Sequence, residues 1–167
     1  MKSKLVVGAG DYLDIAFYAW KSWGRDMVVE RLEIRQDESY YFDFSFLDRY
    51  SPEETSMFAA FDNRFLNFKR LELMGGIKRR GFRMTPFIGA GALVGDGAKI
   101  GENSFISDGA IIGAAASLQH NIFIGPRAVI GYAAEIAQSA WIEPAVVIGT
   151  RARIGAQSIL GLGVSIA

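Results

Sequence analysis

From residue 88 to residue 166 every sixth position is aliphatic: Ile88, Val94, Ile100, Ile106, Ile112, Leu118, Ile124, Ile130, Ile136, Ile142, Ile148, Ile154, Leu160 and Ile166. Glycine follows directly in nine of these fourteen hexads, at Gly89, Gly95, Gly101, Gly113, Gly125, Gly131, Gly149, Gly155 and Gly161. A small residue commonly stands four places after the aliphatic one, as at Ala92, Ala110, Ala128 and Ala140. An α-helix cannot carry nine glycines at period six. Short strands joined by tight turns can, with glycine taking turn dihedrals closed to other residues and each inward aliphatic stacking on its equivalent in the next coil. An ordinary β-sandwich would not hold phase through fourteen repeats, so the spacing predicts a parallel β-coil over residues 86–167.

The first 85 residues follow another rhythm. KLVVGAG is an apolar strand running into a glycine turn, and DYLDIAFYAWKSWG follows as a helix that ends at Gly24. DMVVERLEI reads as a second strand and SMFAAFD as a third, introduced by the polar turn SPEET. NRFLNFKRLELM has apolar residues at helical spacing, with Asn63 as a possible N-cap and Gly75-Gly76 as a break or end. This order predicts a small parallel α/β domain of Rossmann-like type over residues 1–85. Composition changes at the same junction: 27 charged residues lie in 1–87 against 9 in 88–167, and 17 of the 21 aromatics lie in the first part.

Composition then narrows the partners. Half of the 167 residues are hydrophobic, enough for a packed core. Lysine plus arginine equals aspartate plus glutamate, 18 against 18, so no global field draws the protein to nucleic acid or an anionic membrane. The absence of cysteine excludes disulfides and thiolate metal sites and is compatible with a reducing compartment. MKSKLVVGAG has too short an apolar run for a signal peptide, and no apolar stretch is long enough to span a membrane, so the expected location is cytoplasmic.

Four places carry candidate chemistry. The turn Gly8-Ala9-Gly10-Asp11 can offer backbone amides and the positive end of the following helix to a phosphate. It is an incomplete dinucleotide fingerprint, since G-x-G-x-x-G needs glycine at Leu13, and a plain strand-to-helix turn is the other reading. The Asp11 carboxylate would repel a phosphate beside it. Asp62 and Asn63 follow the third strand, where doubly wound sheets collect ligands, so they can grip a base or ribose; helix capping alone also explains Asn63. Lys78, Arg79, Arg80 and Arg83 suit the phosphates of a nucleotide or coenzyme A, or simply a solvated helix end. His120, the only histidine, is third in the hexad LQHNIF. Position one points inward and position three outward, which places the imidazole on the surface, where a neighbouring subunit can cover it.

The repeat resembles that of hexapeptide acyltransferases built on a left-handed parallel β-helix, three hexads to a triangular coil. SLQHNIFIG is similar to the I-x-H-(D/N)-x-x-I-G stretch around their catalytic base. The whole layout resembles the sugar O- and N-acyltransferases that include the sialic acid O-acetyltransferases and the bacillosamine-pathway N-acetyltransferases. F-x-x-F-D-N-R and K-R-R-G-F-R-M-T-P-F-I stand where that family has its strand-to-helix nucleotide contact and the start of its first coil. The resemblance implies about four coils, a homotrimer with acyl-CoA between neighbouring prisms, and no metal. It further implies a nucleotide-linked sugar held through Gly8, Gly10, Asp62 and Asn63, and acetyl-CoA contacts at Gln138 and Gly155. His120 would then take a proton from a substrate amine or hydroxyl as it attacks the thioester carbon, a contribution of about 10²–10⁴-fold, with Asn121 orienting the ring. An imidazole titrates near neutral pH and suits that task. With no cysteine, transfer is expected to be direct, without a covalent acyl-enzyme. The expected product serves surface polysaccharide or glycan biosynthesis.

Three departures from the family pattern keep a second reading open, a non-catalytic binding or scaffold protein on an acyltransferase frame. The turn that usually reads G-x-G-G-H is Gly8-Ala9-Gly10-Asp11-Tyr12. Gln138 stands where many members have a glycine whose amide meets the thioester oxygen, and if I-G-H members set the register the base position falls on Tyr132. The last hexad stops at Ile166-Ala167 without the family's capping segment, which implies a shortened end or a partner over the last coil. Trimeric zinc carbonic anhydrases need three histidine ligands at one site, and ice-binding β-helices need threonine ladders; a single histidine and Thr55, Thr85 and Thr150 supply neither.

Overall fold

The computed structural model describes residues 3–23, 27–34 and 40–167; Gly24, the expected end of the first helix, and Asp26, in the expected second strand, lie outside them. Two compact units form, Met1–Arg64 with Lys69–Thr85, and Phe65–Phe68 with Pro86–Ala167.

In the first unit β1 (Ser3–Gly8) is the central strand of a parallel sheet, between β2 (Val28–Glu33) and β3 (Thr55–Ala60). Ser3 stands in register with Val28 on one side and Thr55 on the other. The two-residue alternation of a strand splits β1 between two faces. Leu5 and Val7 join Met57, Ala59 and three residues of α2 (Phe68–Arg79), namely Leu73, Met74 and Ile77, in one core. On the other face the Lys4 ammonium lies over Trp20 of α1 (Gly10–Trp23).

The second helix differs from its expected bounds. It starts at Phe68, because Phe65, Leu66 and Asn67 have φ of 54°, 50° and 64°, a left-handed turn that cannot carry the right-handed helix back to residue 63. Asn63 therefore does not cap it. Nor does Gly75-Gly76 end it: the helix continues to Arg79, and a Cβ on Gly76 would meet the Phe44 ring at 2.1 Å, so glycine is needed there to seat that ring.

In the second unit fourteen two-residue strands, from Phe87–Ile88 to Ser165–Ile166, form three parallel sheets of five, five and four strands. Partners are eighteen residues apart, as where Phe123 pairs with Phe105 and with Trp141, so three hexads make one coil. The aliphatic positions fill the prism. Ile106, Ile112, Leu118, Ile124, Ile130, Ile136, Ile142 and Ile148 are all at most 2% exposed, each burial contributing roughly 1.5–3 kcal/mol. Phe87, Phe105, Phe123 and Trp141 stack in a column at ring separations of 4.7, 5.8 and 4.0 Å.

The glycines of the repeat serve a different purpose from the one their type suggests. None of the nine has a positive φ. The left-handed residue stands three places after the aliphatic one, at Asn103, Ala115, Asn121, Arg127, Ala133, Ser139, Ala145, Arg151 and Gln157, with φ between 53° and 62°. That conformation costs ~1–2 kcal/mol per residue, and a bond to the preceding coil offsets it, as from Ala133 N–H to Ala114 O at 2.9 Å. The glycines answer the closeness of successive coils instead: a Cβ on Gly113 would lie 2.7 Å from the carbonyl carbon of Gly131.

Candidate active site

His120 sits on a corner of the β-helix, in the turn between the strands Ser117–Leu118 and Phe123–Ile124. Glu102, His120 and Gln138 hold the same corner position in three successive coils, at the inter-strand spacing of about 4.8 Å. His120 is half-buried, Glu102 exposed and Gln138 half-buried. The His120 carbonyl accepts the Ser139 N–H at 3.0 Å, so the backbone under the imidazole is tied to the next coil.

Asn121 is fully buried, and its amide belongs to a ladder inside the corner. Asn103 Nδ2 donates to Asn121 Oδ1 at 2.8 Å, and Asn121 Nδ2 donates to Ser139 Oγ at 2.9 Å. Its backbone N–H donates to Glu102 O at 2.8 Å. Asparagine tolerates the left-handed conformation better than most residues, so Asn121 holds the turn from which His120 projects, rather than presenting its amide to the ring.

The Gln138 main-chain N–H finds no main-chain acceptor among the described residues; it donates to Gln119 Oε1 at 2.9 Å. Gln119, exposed beside His120, helps to line a groove of about 350 Å³ with Ser117, Glu135, Ala137 and Arg153. That volume lies within the range of small-molecule sites. Arg153 and Glu135 form an exposed ion pair on it at 3.3 Å. Gly155, exposed, continues the column of Gln119 and Ala137 by one coil. Tyr132 stands in another turn, its ring under the Arg151 guanidinium at 5.5 Å.

At the carboxyl ends of β1 and β3 the first unit brings Gly8, Gly10 and Asp62 together. A Cβ on Gly8 would lie 1.8 Å from Ala60 O, and Gly10, at φ +66°, has Asp62 Oδ2 and Arg64 Nη2 4.0 Å from where its Cβ would be. Asp62 is held by Arg64, through the backbone N–H at 3.0 Å and Nε at 2.7 Å. Asn63 is half-buried beside it. Tyr12, in the first turn of α1, and Arg70, in α2, are both buried in this unit. Burial pushes the Tyr12 hydroxyl well above its ordinary range and draws Arg70 down to about 10, while the Tyr12 and Asp62 charges act on Arg70 in the opposite sense. Lys4, drawn down to about 8 by burial, donates to Thr85 Oγ1 at 3.0 Å. Of the basic run, Lys78, Arg79 and Arg80 are exposed at the end of α2, with Arg80 paired to Asp48 at 2.6 Å.

Sequence reasoning missed Gln119, Arg64, Arg70 and Lys4. Gln119 had a signal, since it breaks the run of glycines at the second hexad position next to the only histidine. Arg70 had none, because a single arginine in a cationic helix looks like a surface residue. Among the described residues, no three His, Cys, Asp or Glu side chains gather as a metal site, and no helix is long and apolar enough to cross a membrane.

No family model matches this chain, and no curated protein matches it. Solved structures do. The acetyltransferase domain of PglB from Neisseria gonorrhoeae is similar at 20% identity and a TM-score of 0.56, over 99% of this chain and 96% of that one. A variant of perosamine N-acetyltransferase from Caulobacter crescentus, in complex with CoA and GDP-perosamine, is similar at 17% identity and a TM-score of 0.57, over 100% and 92%. WeeI from Acinetobacter baumannii reaches a TM-score of 0.61 at 13% identity, over 99% and 95%. At these identities the likeness establishes the fold, a left-handed β-helix shared with sugar acetyltransferases.

Proposed function

We propose that the protein is an acyl-CoA-dependent sugar acyltransferase, with acetyl-CoA as donor and a nucleotide-linked sugar as acceptor. The observation that carries this reading is the corner itself: the only imidazole of the chain stands half-buried one coil before the Gln138 N–H and next in sequence to Gln119, which lines a groove of about 350 Å³. His120 accepts the proton of the sugar amine or hydroxyl as that atom attacks the thioester carbon. The Gln138 N–H faces the carbonyl oxygen, where negative charge develops. As the carbon–sulfur bond breaks, the imidazolium returns the proton to the departing thiolate, which leaves as CoA.

In this reading Gly155 borders the donor groove, and the Rossmann-like first unit holds the sugar nucleotide at Gly8, Gly10, Asp62 and Asn63. Arg64 neutralises Asp62, which removes one obstacle to a phosphate there. The aliphatic ladder of Leu93, Ile111 and Val147, 65%, 40% and 44% exposed on one face of the prism, suits burial against copies of the chain in a homotrimer. The setting is cytoplasmic synthesis of surface polysaccharide or glycan. The second reading, a non-catalytic binding protein, is favoured by one observation: the Gln138 N–H already has an acceptor in Gln119.

Titration calorimetry with acetyl-CoA and with CoA separates the two. Binding at micromolar strength, about −8 kcal/mol, followed by turnover with an amino-sugar nucleotide that His120→Ala abolishes, supports the enzyme. Absence of heat with both ligands rejects it.

A further inference from the structure

The Gln138 N–H is the donor assigned above to the acyl oxygen, and Gln119 already covers it. A main-chain N–H needs an acceptor, and among the described residues no main-chain carbonyl takes this one. The acceptor comes instead from the preceding coil, as Gln119 Oε1 at 2.9 Å. That atom is a planar carbonyl oxygen, the same kind of acceptor as the oxygen of a thioester. The Gln119 backbone is fixed on both sides, its N–H donating to Ile136 O at 2.9 Å and its carbonyl accepting from Ser104 Oγ at 3.2 Å. The side chain stands in a column otherwise made of Gly101, Ala137 and Gly155, so neighbouring coils leave it room to swing.

We propose that Gln119 is a replaceable stand-in for the acyl group, a specificity residue that competes with the donor carbonyl for the Gln138 N–H. The proposal rests on the acyl-donor reading of this corner. An acylated coenzyme exchanges one carbonyl acceptor for another as Gln119 swings out. Free CoA ends in a thiol, brings no carbonyl to the N–H, and leaves Gln119 in place. Gln119 thus weakens the acylated form selectively and narrows the gap between donor and product affinity.

The test compares wild type, Gln119→Ala and Gln119→Glu by calorimetric titration with acetyl-CoA and with CoA, alongside hydrogen exchange at the Gln138 amide in the free proteins. Removing the competitor should tighten acetyl-CoA about 2–10-fold, the worth of one hydrogen bond, with CoA changed less than about twofold on the same basis. Glutamate makes a stronger, charge-assisted bond, so Gln119→Glu should move the ratio of the two affinities the opposite way. Exchange at Gln138 should be faster in Gln119→Ala with no ligand present. Donor binding with an unchanged affinity ratio overturns the stand-in and leaves the acyltransferase reading intact. Weaker acetyl-CoA binding by Gln119→Ala makes Gln119 a donor ligand and also overturns it. If none of the three proteins binds acetyl-CoA, the acyl-donor reading fails and this proposal with it.

Discussion

Residues 86–167 pack by one rule applied fourteen times, whereas residues 1–85 pack by contacts that occur once each and close over two cations, Lys4 and Arg70. In the repeat a departure is visible against the pattern. Gln119 interrupts the glycines, His120 is the one imidazole, and both fall at the same corner beside Gln138. In the aperiodic unit a departure has nothing to stand against, so Lys4, Tyr12 and Arg70 emerge only when burial is known. Regularity makes function conspicuous, and its absence hides buried charge.

The largest test of this contrast is His120→Ala. It should lower kcat by about 10²–10⁴-fold with the thermal midpoint unchanged, since the half-buried side chain contributes little packing; steady-state kinetics with a melting curve checks both. Next is Ile130→Ala, at a fully buried prism position, which should cost about 2–5 kcal/mol in denaturant unfolding. Leu160→Ala, only partly buried against the same core, should cost clearly less, and equal losses would break the picture of a core completed by stacking coils.

Lys4 offers a pH test in the other unit. Burial draws its folded value to about 8 from an ordinary 10.5, so between these limits the unfolded chain binds more protons and stability rises with pH, by up to about 3 kcal/mol. Lys4→Met lacks this gain. Its melting temperature relative to wild type should fall across that window, and parallel profiles would reject a desolvated Lys4. A smaller effect is expected from Asn121→Ala, which removes the ladder between Asn103 and Ser139 and should cost ~1–3 kcal/mol, with kcat reduced while KM for acetyl-CoA stays near its original value.

The hexad register, the inward aliphatic column and the outward place of His120 were legible because a period-six pattern admits one way of stacking. The strands and the first helix of residues 1–85 were legible from local spacing. The start of α2 was not, since the left-handed turn at Phe65–Asn67 has no glycine to announce it. The purpose of the repeat glycines was misjudged for a related reason: residue type shows what a position permits, while the clash that forbids a Cβ belongs to the neighbouring coil.

The sequence by itself determined the coil, its phase and the single candidate base, because these follow from periodicity and from having one histidine among 167 residues. Tertiary structure alone decided that Asn121 serves the ladder, that Gln119 reaches the Gln138 N–H, and that Arg70 meets Tyr12 and the charge of Asp62. Those relations join residues 18, 19 and 58 positions apart, and no local preference specifies a partner at such separations; only the folded backbone brings the two ends together.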